Sequence, residues 1–555
     1  MNTTSIDSKL LSQMFLAGAK RLEDNKEIIN ELNVFPVPDG DTGTNMTMTI
    51  MSAAKEVYNL YSVNDTTMEN VCKAISSGSL RGARGNSGVI LSQLLRGFTK
   101  IAKTYEAITS PEIAEACDKA VSTAYKAVMK PKEGTILTVA KDVSDKATEL
   151  ANAGCSDLDL FINEVIKAAE VSLENTPNLL PVLKEAGVVD SGGRGLLEFL
   201  KGAYEAFSGK EVDLSFFSGE EKKQSAQEKA EELKYGYSTE ILIKTDKVFN
   251  IKHEMDFKAF LETIGDSIAI VADDATVKVH VYTNDPGLVL QRGLKYGELT
   301  SVKVENLRQG TEEKAEKAEN RTSEPAPVNV PKELKEYGFV SVSAGEGLSE
   351  IFRGLGVDEV IEGGQTMNPS TEDFVKAIGN VNAKTVFILP NNKNIVMSAN
   401  QAVYLVEDKK VVVIPTKTIP QGITALINFM PDSDADTNTE SMKEALAMVK
   451  TGQVTYSVRD TRLDDKDIKE GDYMGIGDSG LLSVNADLTP CVTEMIEEMA
   501  LSDEPVELIT VYYGADVKEE DAEKIVASVS AKFPNVDFEL QYGGQPIYYY
   551  IVSAE

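Results

Sequence analysis

Histidine and cysteine are scarce in this 555-residue chain: two histidines, His253 and His280, and four cysteines, Cys72, Cys117, Cys155 and Cys491. No CxxC pair occurs among the cysteines, so neither a zinc ribbon nor a disulfide framework is spelled out. Inert thiols are the expectation. Histidine-dependent chemistry has two candidates, and neither lies in the N-terminal third of the chain. No uncharged apolar run reaches the roughly 18 residues of a membrane-spanning helix, which predicts no stable membrane insertion. The segment Met1–Asp7 lacks the basic start and apolar stretch of a signal peptide, and a cytoplasmic protein is expected. Positive charge is short as well: 56 Lys and Arg against 88 Asp and Glu leave a formal charge of −32. That balance excludes nucleic acid, whose phosphates want a basic surface. It also excludes tight docking on anionic lipid. An acidic protein that binds an anionic nucleotide must provide counter-charge locally, from metal or from clustered Lys and Arg.

Hydrophobic residues make up 42% of the chain and charged residues 26%, the balance of a soluble globular protein. Its length exceeds one compact core, so three domains are expected. Two apolar-poor, charge-rich stretches at 213–233 and 309–332 read as linkers. Before the first, residues 1–212 are helical in pattern: Leu11, Met14, Phe15 and Leu22 share one face, and similar stripes recur in Val71–Leu80, Glu112–Val128, Ile136–Ala151 and Leu158–Leu173. Between the linkers, residues 234–308 read as a small α/β sandwich. Tyr237–Lys244 and Val277–Thr283 alternate like strands, with helical Asp256–Ile264 and Pro286–Leu294. The last segment, 333–555, alternates short apolar runs with helical ones, the pattern of a parallel-sheet α/β domain. The fold class is thus multidomain: all-α, then a small α/β sandwich, then α/β.

Chemistry concentrates in loops of the helical segment. Asp39-Gly40-Asp41-Thr42-Gly43-Thr44-Asn45 places carboxylates two residues apart on a loop that opens a helix. Such a pair can share one hard cation, since magnesium takes oxygen ligands and keeps substrate phosphates in its shell. A helix opening at Thr42, Thr44 and Asn45 aims free N–H groups and a positive dipole end at an anion. The bland alternative is a capped loop without ligand, because Asp, Thr and Asn cap helices everywhere. Calcium is the weaker rival, as the twelve-residue EF-hand pattern is missing. A second loop, Arg81-Gly82-Ala83-Arg84-Gly85-Asn86-Ser87-Gly88, lets backbone approach a phosphate closely. It is neither a Walker loop nor a Rossmann fingerprint. Lys130–Thr135, with Gly134 and Thr135, and Asn175–Gly195, with Asp190 and Gly192, open further helices. Arg81, Arg84, Lys126, Lys130, Lys132 and Lys141 near these loops form the expected counter-charge, or else a solvated basic face.

These motifs carry a resemblance. LNVFPVPDGDTGTN (Leu32–Asn45), GARGNSG (Gly82–Gly88), KPKEGTILTVAKD (Lys130–Asp142) and NTPNLLPVLKEAGVVDSGGRG (Asn175–Gly195) resemble the nucleotide-binding L domain of dihydroxyacetone kinases. They resemble still more the N-terminal domain of the ATP-binding subunit of bacterial fatty acid kinases. The resemblance implies a helical barrel that binds ATP and Mg2+. It implies metal ligation by Asp39 and Asp41, with Asn33 nearest to a further upstream ligand of the family. Thr42, Gly43, Thr44, Asn45, Gly85, Asn86, Ser87, Gly88, Gly134 and Thr135 then belong to the nucleotide site, and Asp190 and Gly192 to its rim. Arg84 is assigned, from charge and location, to shielding phosphoryl transfer.

Tyr235–Glu240 and Val277–Thr283 resemble the family's middle domain, which implies a homodimer. Some relatives carry a zinc site there; with Ser238, His280 and Tyr282 in its place, no zinc is expected. The last segment resembles DegV-like proteins. Gly363–Ser370 is similar to their carboxylate-holding loop but carries extra polar residues, which favours docking of a separate DegV-type fatty-acid carrier over lipid binding by this chain. The implied reaction moves the γ-phosphoryl group of ATP onto a fatty acid carboxylate, giving an acyl phosphate. Two rivals stand beside it: a dihydroxyacetone-type kinase, which needs a histidine-bearing substrate domain, and a non-catalytic nucleotide- or lipid-sensing module.

Overall fold

The structure, a computed structural model, describes residues 4–33, 40–128, 130–210, 237–245, 251–272, 276–306, 334–364, 368–457, 460–463, 466–478, 480–501 and 506–555. Asp39 and both expected linkers lie outside the described residues.

Ten helices are described in the N-terminal part: α1 (Ser8–Asp24), α2 (Lys26–Leu32), α3 (Thr42–Ser62), α4 (Met68–Arg81), α5 (Gly85–Ala102), α6 (Ser110–Ala127), α7 (Ile136–Asn152), α8 (Leu158–Leu179), α9 (Pro181–Glu185) and α10 (Ser191–Phe207). Local chemistry sets their ends. The Asp7 carboxylate accepts the Leu10 N–H at the start of α1, the Thr67 hydroxyl accepts that of Asn70 at α4, and Thr109 with Glu112 forms a capping box at α6. Each helix turns an apolar stripe inward, so that Leu16, Leu22, Met46, Ile50, Val71, Leu91, Phe161 and Leu197 share one core. Packing runs from α1 to α10, α7, α6, α5, α3 and back to α1. An apolar cavity of about 200 Å3 lies among α1, α5, α6, α7, α8 and α10. Buried Glu198 is neutralised from two sides, by Arg21 at 2.8 Å and Arg194 at 2.9 Å. A short antiparallel pair, β1 (Ile6–Asp7) and β2 (Ala107–Ile108), ties the first helix to the α5–α6 connection.

The middle unit consists of β3 (Tyr237–Lys244), α11 (Ile251–Ile264), β4 (Gly265–Ala272), β5 (Thr276–Thr283), α12 (Pro286–Gly293) and β6 (Glu298–Asn306). Its sheet has the order β4-β5-β3-β6, antiparallel throughout. Ile241, Ile243, Val277, Val279 and Val281 alternate onto the face that packs Phe257, Leu261 and Val289. Ser238 pairs with Tyr282 and Glu240 with His280 in the strand register. The side chains of Ser238, His280 and Tyr282 lie outside the described set.

The C-terminal part is α/β as expected, with its strands divided between a parallel sheet and a mixed one. One four-stranded sheet, β10-β9-β7-β8, is wholly parallel, built from β7 (Lys335–Ser343), β8 (Glu359–Glu362), β9 (Ala383–Leu389) and β10 (Lys410–Val413). A second sheet of six strands has the order β15-β14-β11-β18-β16-β17. It comprises β11 (Lys450–Tyr456), β14 (Tyr473–Gly477), β15 (Leu481–Asn485), β16 (Leu508–Tyr513), β17 (Asp537–Tyr542) and β18 (Tyr550–Ala554). Only β16 and β17 run parallel in it. The antiparallel pairing is hard to read because central β11, Lys-Thr-Gly-Gln-Val-Thr-Tyr, is largely buried yet carries few apolar residues to signal a strand. A small hairpin, β12 (Thr461–Leu463) with β13 (Lys466–Ile468), completes the strands described. The helical and C-terminal parts together form one compact unit, and the middle segment forms another.

Candidate functional site

Asp41 stands just before α3, with 6% of its surface exposed. A residue in this position ordinarily spends its side chain on the free N–H groups of its own helix. Asp41 does not: its carboxylate makes no capping bond. Asn30, from the preceding helix, takes over the task. Its Oδ1 accepts the Thr44 N–H at 3.0 Å and its Nδ2 reaches the Thr44 hydroxyl at 3.1 Å. The backbone of Gly43 lies so close to the Lys26 carbonyl that a side chain there would collide with it. The Asp41 carboxylate is thereby left for other partners. It accepts from Asn33 Nδ2 at 3.4 Å and from Asn368 Nδ2 at 2.6 Å. Burial pushes its pKa up, against the lowering effect of the Asn45 and Asn368 amides.

Around this carboxylate the structure gathers Asn33, Asn45 and Asn368, with Gly85 packed against the last two. Gly85 adopts a positive φ of 57°, and a Cβ there would sit 2.6 Å from Asn45 Nδ2, so only glycine brings this loop against α3. Thr49 braces the same junction: its hydroxyl donates to the Asn45 carbonyl at 2.6 Å and accepts the Arg84 N–H at 3.2 Å.

Arg84, expected to shield the transferring phosphate, turns toward the C-terminal part. Its Nη1 donates to the Asn368 carbonyl at 2.7 Å and lies 3.5 Å from the Asp373 carboxylate. The Thr371 N–H donates to the Ala83 carbonyl at 3.1 Å, and Asn86 Nδ2 reaches Asn394 Oδ1 at 3.3 Å. Sequence reading missed Asn30, and it placed Asn368 only in the Gly363–Ser370 loop, of which residues 365–367 lie outside the described residues, and not beside Asp41. Asn30 sits inside a helical stripe without any motif, and Asn368 lies 327 residues from Asp41.

The other two loops form a second cluster. The Asp190 carboxylate caps α10 by accepting the Gly193 N–H at 2.7 Å and also takes a backbone N–H from Ile136, so it clamps the starts of α7 and α10 together. Its pKa is pushed up to about 6 by burial. Gly192 packs against Ile136, Gly134 donates its N–H to Thr138 at 2.9 Å, and Thr135 caps α7. One helical turn deeper, Gly195 of α10 meets Met46 of α3, which links the two clusters. The basic residues scatter. Arg81 pairs with Glu56 and Lys141 with Asp145, while Lys126 lines a groove with Lys73, Arg96, Lys100, Lys103 and Lys119.

The amide nitrogens of Asn33 and Asn368 face the Asp41 carboxylate. That carboxylate and the oxygens of the surrounding amides are hard donors, the kind that magnesium accepts. Asn368 Oδ1 is buried and has no hydrogen-bond donor among the described residues, which also fits an incoming cation or its hydration water. These residues fit the expected metal. Among the described residues no cluster of three or more His, Cys, Asp or Glu side chains suited to a metal is found. No described helix is long and apolar enough to cross a membrane.

Helices and loops of this arrangement define the class: residues 36–205 match the DAK2 domain. Residues 234–314 match the middle domain of FakA-like fatty acid kinase proteins, and residues 338–555 match their C-terminal domain. The chain is 45% identical over 564 residues to protein YloV of Bacillus subtilis (strain 168), covering all of both chains. It is 44% identical over 559 residues to an uncharacterized protein of Staphylococcus aureus (strain USA300), again over the full length of each. The chain belongs to the FakA-like fatty acid kinase family. Among solved structures, it is similar to a fatty-acid-binding DegV family protein of Thermus thermophilus, at 12% identity and a TM-score of 0.30, covering 40% of this chain and 99% of that one. The Streptococcus pneumoniae fatty acid kinase B3 protein, loaded with linoleic acid, aligns at 14% identity and a TM-score of 0.26, over 34% of this chain and 76% of that one.

Proposed function

We propose that this chain is the ATP- and magnesium-dependent subunit of a fatty acid kinase, moving the γ-phosphoryl group onto the carboxylate of a fatty acid held by a separate DegV-type carrier. The observation that carries this reading is the state of Asp41. It is a buried carboxylate released from capping its own helix, whose hydrogen-bond partners are neutral amides. A buried negative charge without a paired cation is costly, and a divalent ion is its natural complement. The family match over all three segments supports the substrate class, and the family's character as one component of a kinase supports a partner.

Magnesium, when bound, neutralises phosphate charge; Asp41 would hold it, with Asn33 and Asn45 beside it and Asp39 two residues upstream. The N-terminus of α3 orients toward anionic phosphates through its dipole. A fatty acid carboxylate is already ionised at neutral pH, so this chain need supply no general base. Its work is to position two anions and keep water out. Arg84 then serves by holding the C-terminal loop against the site.

The test is ATP consumption with fatty acid plus a DegV-type carrier, with dihydroxyacetone, and with neither. Only the first should turn over. Asp41→Ala should cut that rate by at least about a hundredfold, the scale for losing a key electrostatic contact, with an unchanged circular dichroism spectrum. Full turnover by Asp41→Ala would remove the magnesium assignment.

A further inference from the structure

We infer that Asn368, delivered by the C-terminal part, is a positioning residue of the metal and nucleotide site, so that the site is complete only across two parts of the chain. This rests on the kinase reading above and deepens it. The Asn368 amide has two ends, and both are informative. Nδ2 donates to Asp41 at 2.6 Å and lies 3.4 Å from Asn45 Oδ1, fixing the carboxylate against the amide beside it. Oδ1 is buried and has no donor among the described residues, on a side chain only 2% exposed.

Asn368 Oδ1 is one of several buried side-chain atoms unmatched among the described residues, and it is set apart because its amide is anchored on the Asp41 carboxylate. A cation at Asp41, or the water that such an ion carries, provides the missing partner. Meanwhile the N–H end orients the ligating carboxylate, as outer groups around metal sites commonly do. The loop that carries Asn368 is not adventitiously near. It is pinned by Arg84 to the Asn368 carbonyl at 2.7 Å, by the Thr371 N–H to Ala83 at 3.1 Å, and by a single antiparallel bridge between Arg84 and Ser370. Ser370 and Asp373 cap each other at the start of the following helix, which holds the loop in this form.

The test is a magnesium titration of nucleotide binding, followed by calorimetry on the full chain. Asn368→Ala, and Asn368→Ser as a second variant too short to reach Asp41, should raise the magnesium concentration for half-maximal ATP binding tenfold or more. Gln401→Ala removes a contact to Gln93 across the same boundary, at 3.2 Å and away from Asp41, and should leave that midpoint unchanged. An equal shift in Gln401→Ala would reduce Asn368 to packing and overturn the inference. So would a wild-type midpoint in both Asn368 variants while Asp41→Ala loses its magnesium dependence, with the kinase reading left standing. If Asp41→Ala itself binds ATP with normal magnesium dependence, the kinase reading falls first.

Discussion

Two aspartates of similar sequence context behave differently because of what their carboxylates cap. Asp190 spends its charge on the N–H groups of Gly193 and Ile136, whereas Asp41 is relieved of that duty by Asn30. With the folded pKa of Asp190 at about 6 and an unfolded value near the usual carboxylate range, the folded state holds the proton more tightly. Its contribution to stability is therefore greatest below about pH 4 and is lost as pH rises through 6. Asp190→Asn keeps an acceptor for Gly193 and removes the buried charge. It should stabilise the protein by roughly 1–2 kcal/mol at pH 7 and by almost nothing at pH 4, read from urea midpoints at the two pH values. An equal effect at both would mean that the carboxylate is not destabilised by burial. The loop residues Asp41, Asn45 and Gly85 were legible because each belongs to a dense motif. Asn30 was not, since a lone asparagine looks the same whether it caps, bridges or faces solvent, and the Gly363–Ser370 loop gave no sign that its Asn368 would reach a carboxylate 327 residues away.

At the scale of elements, the helices of the first part were the most readable feature. Their apolar positions repeat at helical spacing, and the observed boundaries of α4, α6 and α7 fall within a few residues of those stripes. What periodicity hides is how closely two helices approach. Gly97 of α5 lies against α6, where a Cβ would stand 2.5 Å from Ala120 Cα and from the Lys119 carbonyl. Both obstacles are backbone, so they yield only if the helices separate. Gly97→Val should cost about 1–3 kcal/mol, lowering the urea midpoint with an unchanged denaturant slope. A wild-type midpoint would show that α5 and α6 part freely. In the C-terminal part the same periodicity argument fails. β11 and β18 are central strands of the larger sheet, covered on both faces, and nothing in their composition announces that they run antiparallel.

For the whole molecule, the decisive fact is that residues hundreds of positions apart meet at one carboxylate, and no local pattern encodes a contact of that range. A molecule of charge −32 attracts a triphosphate poorly unless a cation intervenes, so ligand, metal and closure should be linked. Mg-ATP at about a hundred times its Kd stabilises whatever it binds by about 2.7 kcal/mol. If it binds where α3 and the C-terminal loop meet, that energy is spread over both. Hydrogen exchange should then slow about a hundredfold at the Thr371 amide, which donates to Ala83 across the boundary, wherever exchange requires the parts to separate. Amides in the first turns of α3 should slow with it, and Asp41→Ala should abolish both effects. Slowing confined to α3 would show that the nucleotide is held by the helical part alone, with the C-terminal part free to come and go.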